Sequence, residues 1–152
     1  MHIDWNCKRF EELTPDELYA IFRLRSEVFV VEQNCVYLDF DNKDQQSWHV
    51  TGWNENKLIA YTRLLPAGLG FKEISIGRVC TSPSARKSGA GRELMNYSMK
   101  KILEIFGKQP IRIGAQLYLK AFYESLGFVP TGDIYLEDNI KHIEMVFPIL
   151  EN

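Results

Sequence analysis

The sequence predicts an α+β (mixed α/β) domain built on one central sheet. Three observations carry this expectation. A capped amphipathic helix lies near the start, β-branched strands alternate over 48–65 and 74–81, and a glycine-rich turn at 86–91 leads into a long helix and a further strand. The order is helix, two or three antiparallel strands, helix, strand, helix, hairpin. A helix between two strands lets them run parallel, whereas a short turn makes them antiparallel.

Thr14-Pro15-Asp16-Glu17 opens the first helix, with Thr14 as N-cap, Pro15 in the first helical position and Glu17 completing a capping box. Leu18, Ile21, Phe22, Arg25, Val28 and Phe29 then share one face, on which Arg25 is the charged member. The run Val28-Phe29-Val30-Val31 predicts an end or break near Glu32. Residues 33–46 are polar and acidic and read as a loop. Trp48–Trp53 and Lys57–Leu65 read as a hairpin about Asn54-Glu55-Asn56. Residues 66–70 form a second loop, and Glu73–Thr81 is the third long strand. After the glycine turn, Gly91–Phe106 carries an apolar stripe of Leu94, Met95, Met99, Ile102, Ile105 and Phe106, and Gly107 stops it. Ile111–Ala115 is a strand parallel to the previous one, and Leu117–Leu126 is a short helix closed by Gly127. Phe128–Leu136 and Ile140–Phe147 form a terminal hairpin around residues 137–139. In its last strand His142 and Glu144 face away from the apolar Ile143, Met145 and Phe147.

A chain of 152 residues fits one domain, 1–152, able to bury roughly 70% of its unfolded surface. Hydrophobic content of 45% and charge of 25% are ordinary for a globular protein. The net charge of −2 gives no global reason for a nucleic acid or an anionic membrane as partner. Cys7, Cys35 and Cys80 lack a Cys-x-x-Cys spacing and read as reduced thiols. Residues 1–5 have no basic or long apolar stretch, so no signal peptide is expected. No apolar run approaches the roughly 20 residues of a membrane span. These features predict a cytoplasmic protein.

The segment Arg86-Lys87-Ser88-Gly89-Ala90-Gly91 is the strongest chemical signal. A glycine turn between strand and helix leaves outward-pointing amides at the positive end of a helix dipole, which suits phosphate. Arg86 and Lys87 can add charge-assisted contacts. The turn is not a P-loop, which needs Gly-x-x-x-x-Gly-Lys-Ser/Thr, and it lacks the first glycine of a dinucleotide fingerprint. Alone it is equally compatible with a surface turn.

One helix and one strand later comes Gln116-Leu117-Tyr118-Leu119-Lys120-Ala121-Phe122-Tyr123-Glu124-Ser125-Leu126-Gly127-Phe128. With Val79-Cys80-Thr81-Ser82-Pro83 and Arg86-x-x-Gly89-x-Gly91 before it, the chain resembles the GNAT superfamily of N-acetyltransferases. Leu24-Arg25-x-x-Val28-Phe29-Val30-Val31-Glu32-Gln33-Asn34-Cys35, then Tyr37, Asp39 and Asp41, resemble its ElaA-type branch. Ile76-Gly77-Arg78-Val79 and Gly114-Ala115-Gln116 fit the same branch.

The resemblance implies a GNAT-like three-layer domain whose mostly antiparallel sheet splays between its two central parallel strands. It implies acetyl-CoA as co-substrate and direct transfer to an amine, either a small molecule or a peptide. The backbone of Val79, Cys80 and Thr81 would pair with the pantetheine arm. Arg86, Lys87, Ser88, Gly89, Ala90, Gly91 and Arg92 would cradle the pyrophosphate. Lys87 and Arg92 could equally be solvated surface residues. Gln116 stands where many members carry a cofactor-contacting asparagine, and Phe122 adjoins Tyr123, the expected general acid for the CoA sulfur. An alkyl ammonium has a pKa of about 10, so a proton acceptor is also needed. Glu32 is the preferred candidate. His49, a lone histidine at the start of a strand, is a second candidate or a structural residue, and Asp39, Glu73 and His142 are further candidates. Glu32, Asp39, Asp41 and Asp44 would attract a cationic amine if they line the acceptor pocket, or else form a simple polar loop. Their spacing is not that of an EF-hand, so no metal is expected. Family members are often dimers, which makes a homodimer an expectation. Two other readings stand beside this one. Acyl-homoserine-lactone synthases share the fold and an Arg-x-x-Val-Phe segment, and a non-catalytic CoA-binding or interaction domain would keep the same frame.

Overall fold

In the computed structural model, which describes residues 1–149, one eight-stranded sheet carries the other elements. Its strands are β1 (Asp4–Arg9), β2 (Trp48–Asn54), β3 (Lys57–Leu65), β4 (Ile74–Thr81), β5 (Ile111–Gln116), β6 (Val129–Pro130), β7 (Tyr135–Glu137) and β8 (Ile140–Phe147). The spatial order is β1-β2-β3-β4-β5-β8-β6, with β7 also paired to β8. β4 and β5 run parallel, and the other described pairs are antiparallel.

The helices are α1 (Pro15–Arg25), α2 (Ala90–Phe106) and α3 (Lys120–Ser125). The capping box of α1 forms as expected: Glu17 N donates to Thr14 Oγ1 at 3.1 Å, and Thr14 N donates to Glu17 Oε1 at 2.9 Å. At the β-branched run the chain stays helical but widens into π-helical turns over Ser26–Glu32. Such turns re-aim the residues that follow, and here they deliver Glu32 and Gln33 to the cleft described below.

Helices cover both faces of the sheet, giving three layers. On one face Ile21, Leu24, Val28 and Phe29 pack against Leu58, Tyr61 and Cys80. On the other, Leu94, Met95 and Ile102 of α2, with Tyr123 and Phe128, pack against Val50, Leu64, Ile113, Ile143 and Met145. Burying one face of each helix against a sheet is the main source of stability of such a domain. Among the described residues, no helix is long and apolar enough to cross a membrane.

Two elements differ from expectation. β1 is absent from the predicted set, because Asp4, Asn6, Lys8 and Arg9 make it read as polar. It is an edge strand paired to β2 over six positions, and its Trp5 lies so tightly on Gly52 that a Cβ there would sit 2.5 Å from the ring. The predicted strand 128–136 is broken, since only 129–130 and 135–137 pair with β8. Pro130 cannot donate to a ladder, and the chain leaves the sheet after a last bond from Thr131 N to Glu144 O at 3.0 Å.

Candidate active site

β4 and β5 pair only at their starts, Ile74 with Ile111 and Ser75 with Arg112. Beyond these residues the two strands diverge. β4 keeps its pairing to β3, with a register shift between Tyr61 and Arg63 opposite Arg78, which sits at φ 50°. The bulge leaves the β5-facing edge of Val79, Cys80 and Thr81 without a strand partner among the described residues. A cleft of about 1120 Å³ opens through this gap.

One end of the cleft is the turn before α2. Lys87 (φ 65°) and Gly89 (φ 85°) both take the left-handed conformation, which curls successive amides toward one point. Glu93 N bonds back to Gly89 O at 3.1 Å and closes the first turn. The amides ahead of it have no intrahelical acceptor. A Cβ on Gly89 would meet nothing within 4 Å, and one on Gly91 only Phe122 Cζ at 4.0 Å. The cradle therefore has room for an anion of phosphate size. Lys87, Gly89, Ala90, Gly91 and Arg92 line the cleft, while the Ser88 hydroxyl donates to Ala85 O and braces the turn. Arg92 lies over the Phe122 ring at 5.5 Å and donates to Ser125 Oγ at 2.8 Å.

α3 places Tyr123 at the junction of cradle and splay, buried at 4% exposure but lining the cleft. Burial pushes its hydroxyl pKa up, so it holds its proton at neutral pH. Phe122 packs edge-on against it at 5.2 Å. Cys80 is buried and its thiol is pushed well above the ordinary range by desolvation, which suits a packing role and not a nucleophile. The Gln116 side chain forms a reciprocal amide pair with Gln33, at 3.2 and 3.3 Å.

The proton-acceptor candidates separate clearly. Glu32 reaches the cleft, but Arg86 grips both its oxygens at 2.6 Å, and that hydrogen bonding lowers its pKa. His49 does not reach the cleft. It is fully buried, with ring nitrogens bonded to Tyr61 Oη at 2.6 Å and the Asp44 carbonyl at 2.8 Å. A carbonyl only accepts, so Nε2 carries the proton and Nδ1 accepts from Tyr61. Desolvation lowers the His49 pKa, which keeps the ring neutral. Glu73 is held by Arg112 at 2.8 Å, outside the cleft lining. His142 lines the cleft.

The acidic loop is not a free negative surface. Arg25 Nε donates to Asp39 at 2.9 Å and its Nη1 to Asp44 at 2.7 Å. Arg63 binds Asp41 through both terminal nitrogens, at 2.7 and 2.5 Å, and reaches Asp44 at 3.0 Å. Arg78 Nε lies 2.7 Å from Asp39 Oδ1. Burial would raise the Asp41 pKa, but the Arg63 hydrogen bonds outweigh it and hold the carboxyl well below the usual range. Three carboxylates thus meet three guanidiniums, and the net attraction for a cation is cancelled. The network braces the bulge at Arg78 from behind.

Sequence reasoning did not find the far half of the cleft, where Phe71, Gly114, Tyr135 and Glu137 join His142. A Cβ on Gly114 would lie 2.8 Å from Tyr135 Oη and 3.7 Å from Phe71 Cζ. The two rings converge over a glycine that leaves space for them. No local motif marks Phe71, Tyr135 or Glu137, which come from the segment before β4 and from β7.

A family model described as an acetyltransferase (GNAT) domain matches residues 12–148. Protein ElaA of Escherichia coli is 37% identical over 151 residues, spanning 98% of this chain and 99% of its own. Its crystal structure superposes with a TM-score of 0.90 over 95% of this chain and 99% of that one. UPF0039 protein sll0451 of Synechocystis is 40% identical over the full chain and 99% of its own. A crystal structure of an acyl-CoA N-acyltransferase from Pseudomonas aeruginosa, 40% identical, matches at TM-score 0.91 over 95% of this chain and 99% of that one. The splayed sheet, the glycine cradle and these full-length similarities together establish that the chain belongs to the GNAT acetyltransferase family.

Proposed function

We propose that this acyltransferase uses acetyl-CoA as donor and transfers the acetyl group directly to a primary amine. The observation that carries the reading is the continuity of the unpaired β4 edge with the two-glycine cradle, with a buried, protonated tyrosine where they meet. A pantetheine arm carries two amides, and the free edge of Val79, Cys80 and Thr81 offers backbone partners for them. The amides of Ser88 to Arg92 receive the pyrophosphate and Lys87 adds charge, while Arg86 stays paired with Glu32. Tyr123 then stands beside the thioester sulfur. As the amine displaces the thiolate, its hydroxyl gives the sulfur a proton and lowers the barrier to C–S cleavage.

Acetyl-CoA titrated into the protein in a calorimeter, followed by an acetyl-transfer assay over a panel of amines, tests this. Binding near micromolar and transfer to at least one amine are expected. No heat at about 1 mM acetyl-CoA, a binding energy of only about 4 kcal/mol, would overturn it. Transfer from acyl-carrier protein in place of acetyl-CoA would point to the acyl-homoserine-lactone-synthase reaction. Tight binding with no acetylated amine would leave a non-catalytic CoA-binding domain.

A further inference from the structure

We propose that His142 and Glu137 form the seat of the acceptor ammonium, and that His142 Nε2 takes its proton. This rests on the amine-acetyltransferase reading above.

The hairpin β7–β8 builds the pair. Asp138 (φ 49°) and Asn139 (φ 66°) form its two-residue turn, both left-handed, as a primed hairpin turn requires. The register then pairs Tyr135 with His142 and Glu137 with Ile140, so Glu137 and His142 sit diagonally on one face. His142 Nδ1 lies 2.8 Å from the Ile140 carbonyl. A carbonyl only accepts, so Nδ1 carries the proton and the Nε2 lone pair is free. The Tyr135 ring, stacked at 5.7 Å, fixes the orientation of the imidazole.

Nε2 lies 3.5 Å from Glu137 Oε2. In the neutral ring these are two proton acceptors facing each other, and either a proton on Nε2 or a donor placed between them satisfies both. An ammonium has three N–H donors and answers both. The other ionisable groups nearby are Tyr135 on β7, Glu144 two residues along β8 and held by Arg112 at 3.3 Å, and Cys35, whose Sγ is 3.5 Å from the Asp138 carbonyl. None of them supplies a proton donor to Nε2. Beside the pair, Phe71 and Tyr135 form an aromatic wall over Gly114, which suits an amine carried on an aromatic or apolar body.

The proton balance closes. One ammonium proton passes to Nε2 and on to solvent past Glu137, whose side chain is 61% exposed. The free amine attacks the thioester carbonyl carbon, the C–S bond breaks, and the sulfur takes the Tyr123 proton. The second nitrogen proton restores Tyr123 through water. The products are the amide, the CoA thiol and one proton.

The probe is phenethylamine, titrated into CoA-bound protein labelled with ¹⁵N-histidine. The chain has three histidines, and His142→Gln assigns the signal. The His142 Nε2 resonance should move while that of buried His49 stays still, and Glu137→Gln should weaken the response at least threefold, or about 0.65 kcal/mol. A His142 signal unmoved at about 20 mM probe overturns the proposal, whatever the turnover of this amine. Acetyl-CoA binding, measured on the same protein before CoA is added, fails or succeeds independently and judges the donor reading. In turnover, His142→Gln should lower kcat/KM about 100-fold at neutral pH, and free imidazole should partly rescue His142→Gly. Unchanged turnover in His142→Gln would also overturn the assignment.

Discussion

Glu32 and Arg86 face each other across the mouth of the cleft in a two-bond ion pair, with both N···O distances at 2.6 Å. The pair joins the end of the π-helical segment to the phosphate cradle, so Arg86 is occupied by a carboxylate at the place where it would meet phosphate. Glu32→Gln should release Arg86 and remove a negative charge beside the cradle. Exposed pairs of this kind are worth about 0–1 kcal/mol, so the Kd for acetyl-CoA should fall by about twofold to fivefold. Calorimetry reads this directly. Turnover should change by less than about tenfold, whereas a loss of about 100-fold or more would return Glu32 to the role of base.

Gly91 faces open space in the cradle, and the nearest atom that an added methyl would meet is Phe122 Cζ at 4.0 Å. Gly91→Val should therefore fold normally but fill the space that phosphate needs. The Kd for acetyl-CoA should rise at least tenfold, about 1.4 kcal/mol, with little change in thermal midpoint. A wild-type Kd in Gly91→Val would move the phosphate site elsewhere.

Tyr123→Phe keeps the ring that packs against Phe122 and Phe128 and removes only the hydroxyl. Turnover should drop about 100-fold while acetyl-CoA affinity stays within a factor of about two. Because burial raises the hydroxyl pKa above its ordinary value, the wild-type rate should show no loss from this group through mildly alkaline pH. Equal turnover of the two proteins from pH 7 to 9 would remove Tyr123 from the acid role.

Much of this architecture was legible in the chain because local rules decided it. The capping box at Thr14, the hairpin at 54–56 and the glycine turn before α2 each depend on a few adjacent residues. The parallel step from β4 to β5 followed from the intervening helix. The Asp39, Asp41 and Asp44 partners were hidden because Arg25, Arg63 and Arg78 come from three different elements, and a helical arginine on an apolar face does not announce its carboxylate. His49 read as a cleft candidate, yet its strand position buries it entirely. The Phe71–Tyr135–His142 wall was invisible because its residues meet only when the segment before β4 has assembled with β7 and β8.

Arg25 is fully buried, and it bonds Asp39 and Asp44 while lying 5.4 Å above the Phe22 ring and 5.8 Å from that of Tyr61. Arg25→Met keeps most of the volume but leaves two buried carboxylates short of a partner. Removing one member of a buried ion pair costs about 3–5 kcal/mol. Urea unfolding of Arg25→Met should show a loss of that order, and Asp39→Asn combined with it should recover part. A loss below about 1 kcal/mol would mean that water or Arg63 and Arg78 take over the charge.

His49 ties stability to pH. Its folded pKa is lowered, chiefly by desolvation and also by the Arg25 and Arg63 charges, and the neutral ring donates from Nε2 to the Asp44 carbonyl and accepts at Nδ1 from Tyr61. An unfolded histidine titrates at about 6.5, so below that pH the unfolded chain binds a proton that the folded chain refuses. More protons on the unfolded state means that stability rises with pH, so this contribution is present above about pH 6.5 and lost as pH falls below it, by up to about 1.4 kcal/mol per unit. The urea midpoint of the wild type should therefore drop between pH 7.5 and pH 5.5. His49→Gln retains a donor and an acceptor but cannot take a proton, so it should start less stable and fall less steeply over the same window. Parallel slopes for the two proteins would place the acid sensitivity in another group.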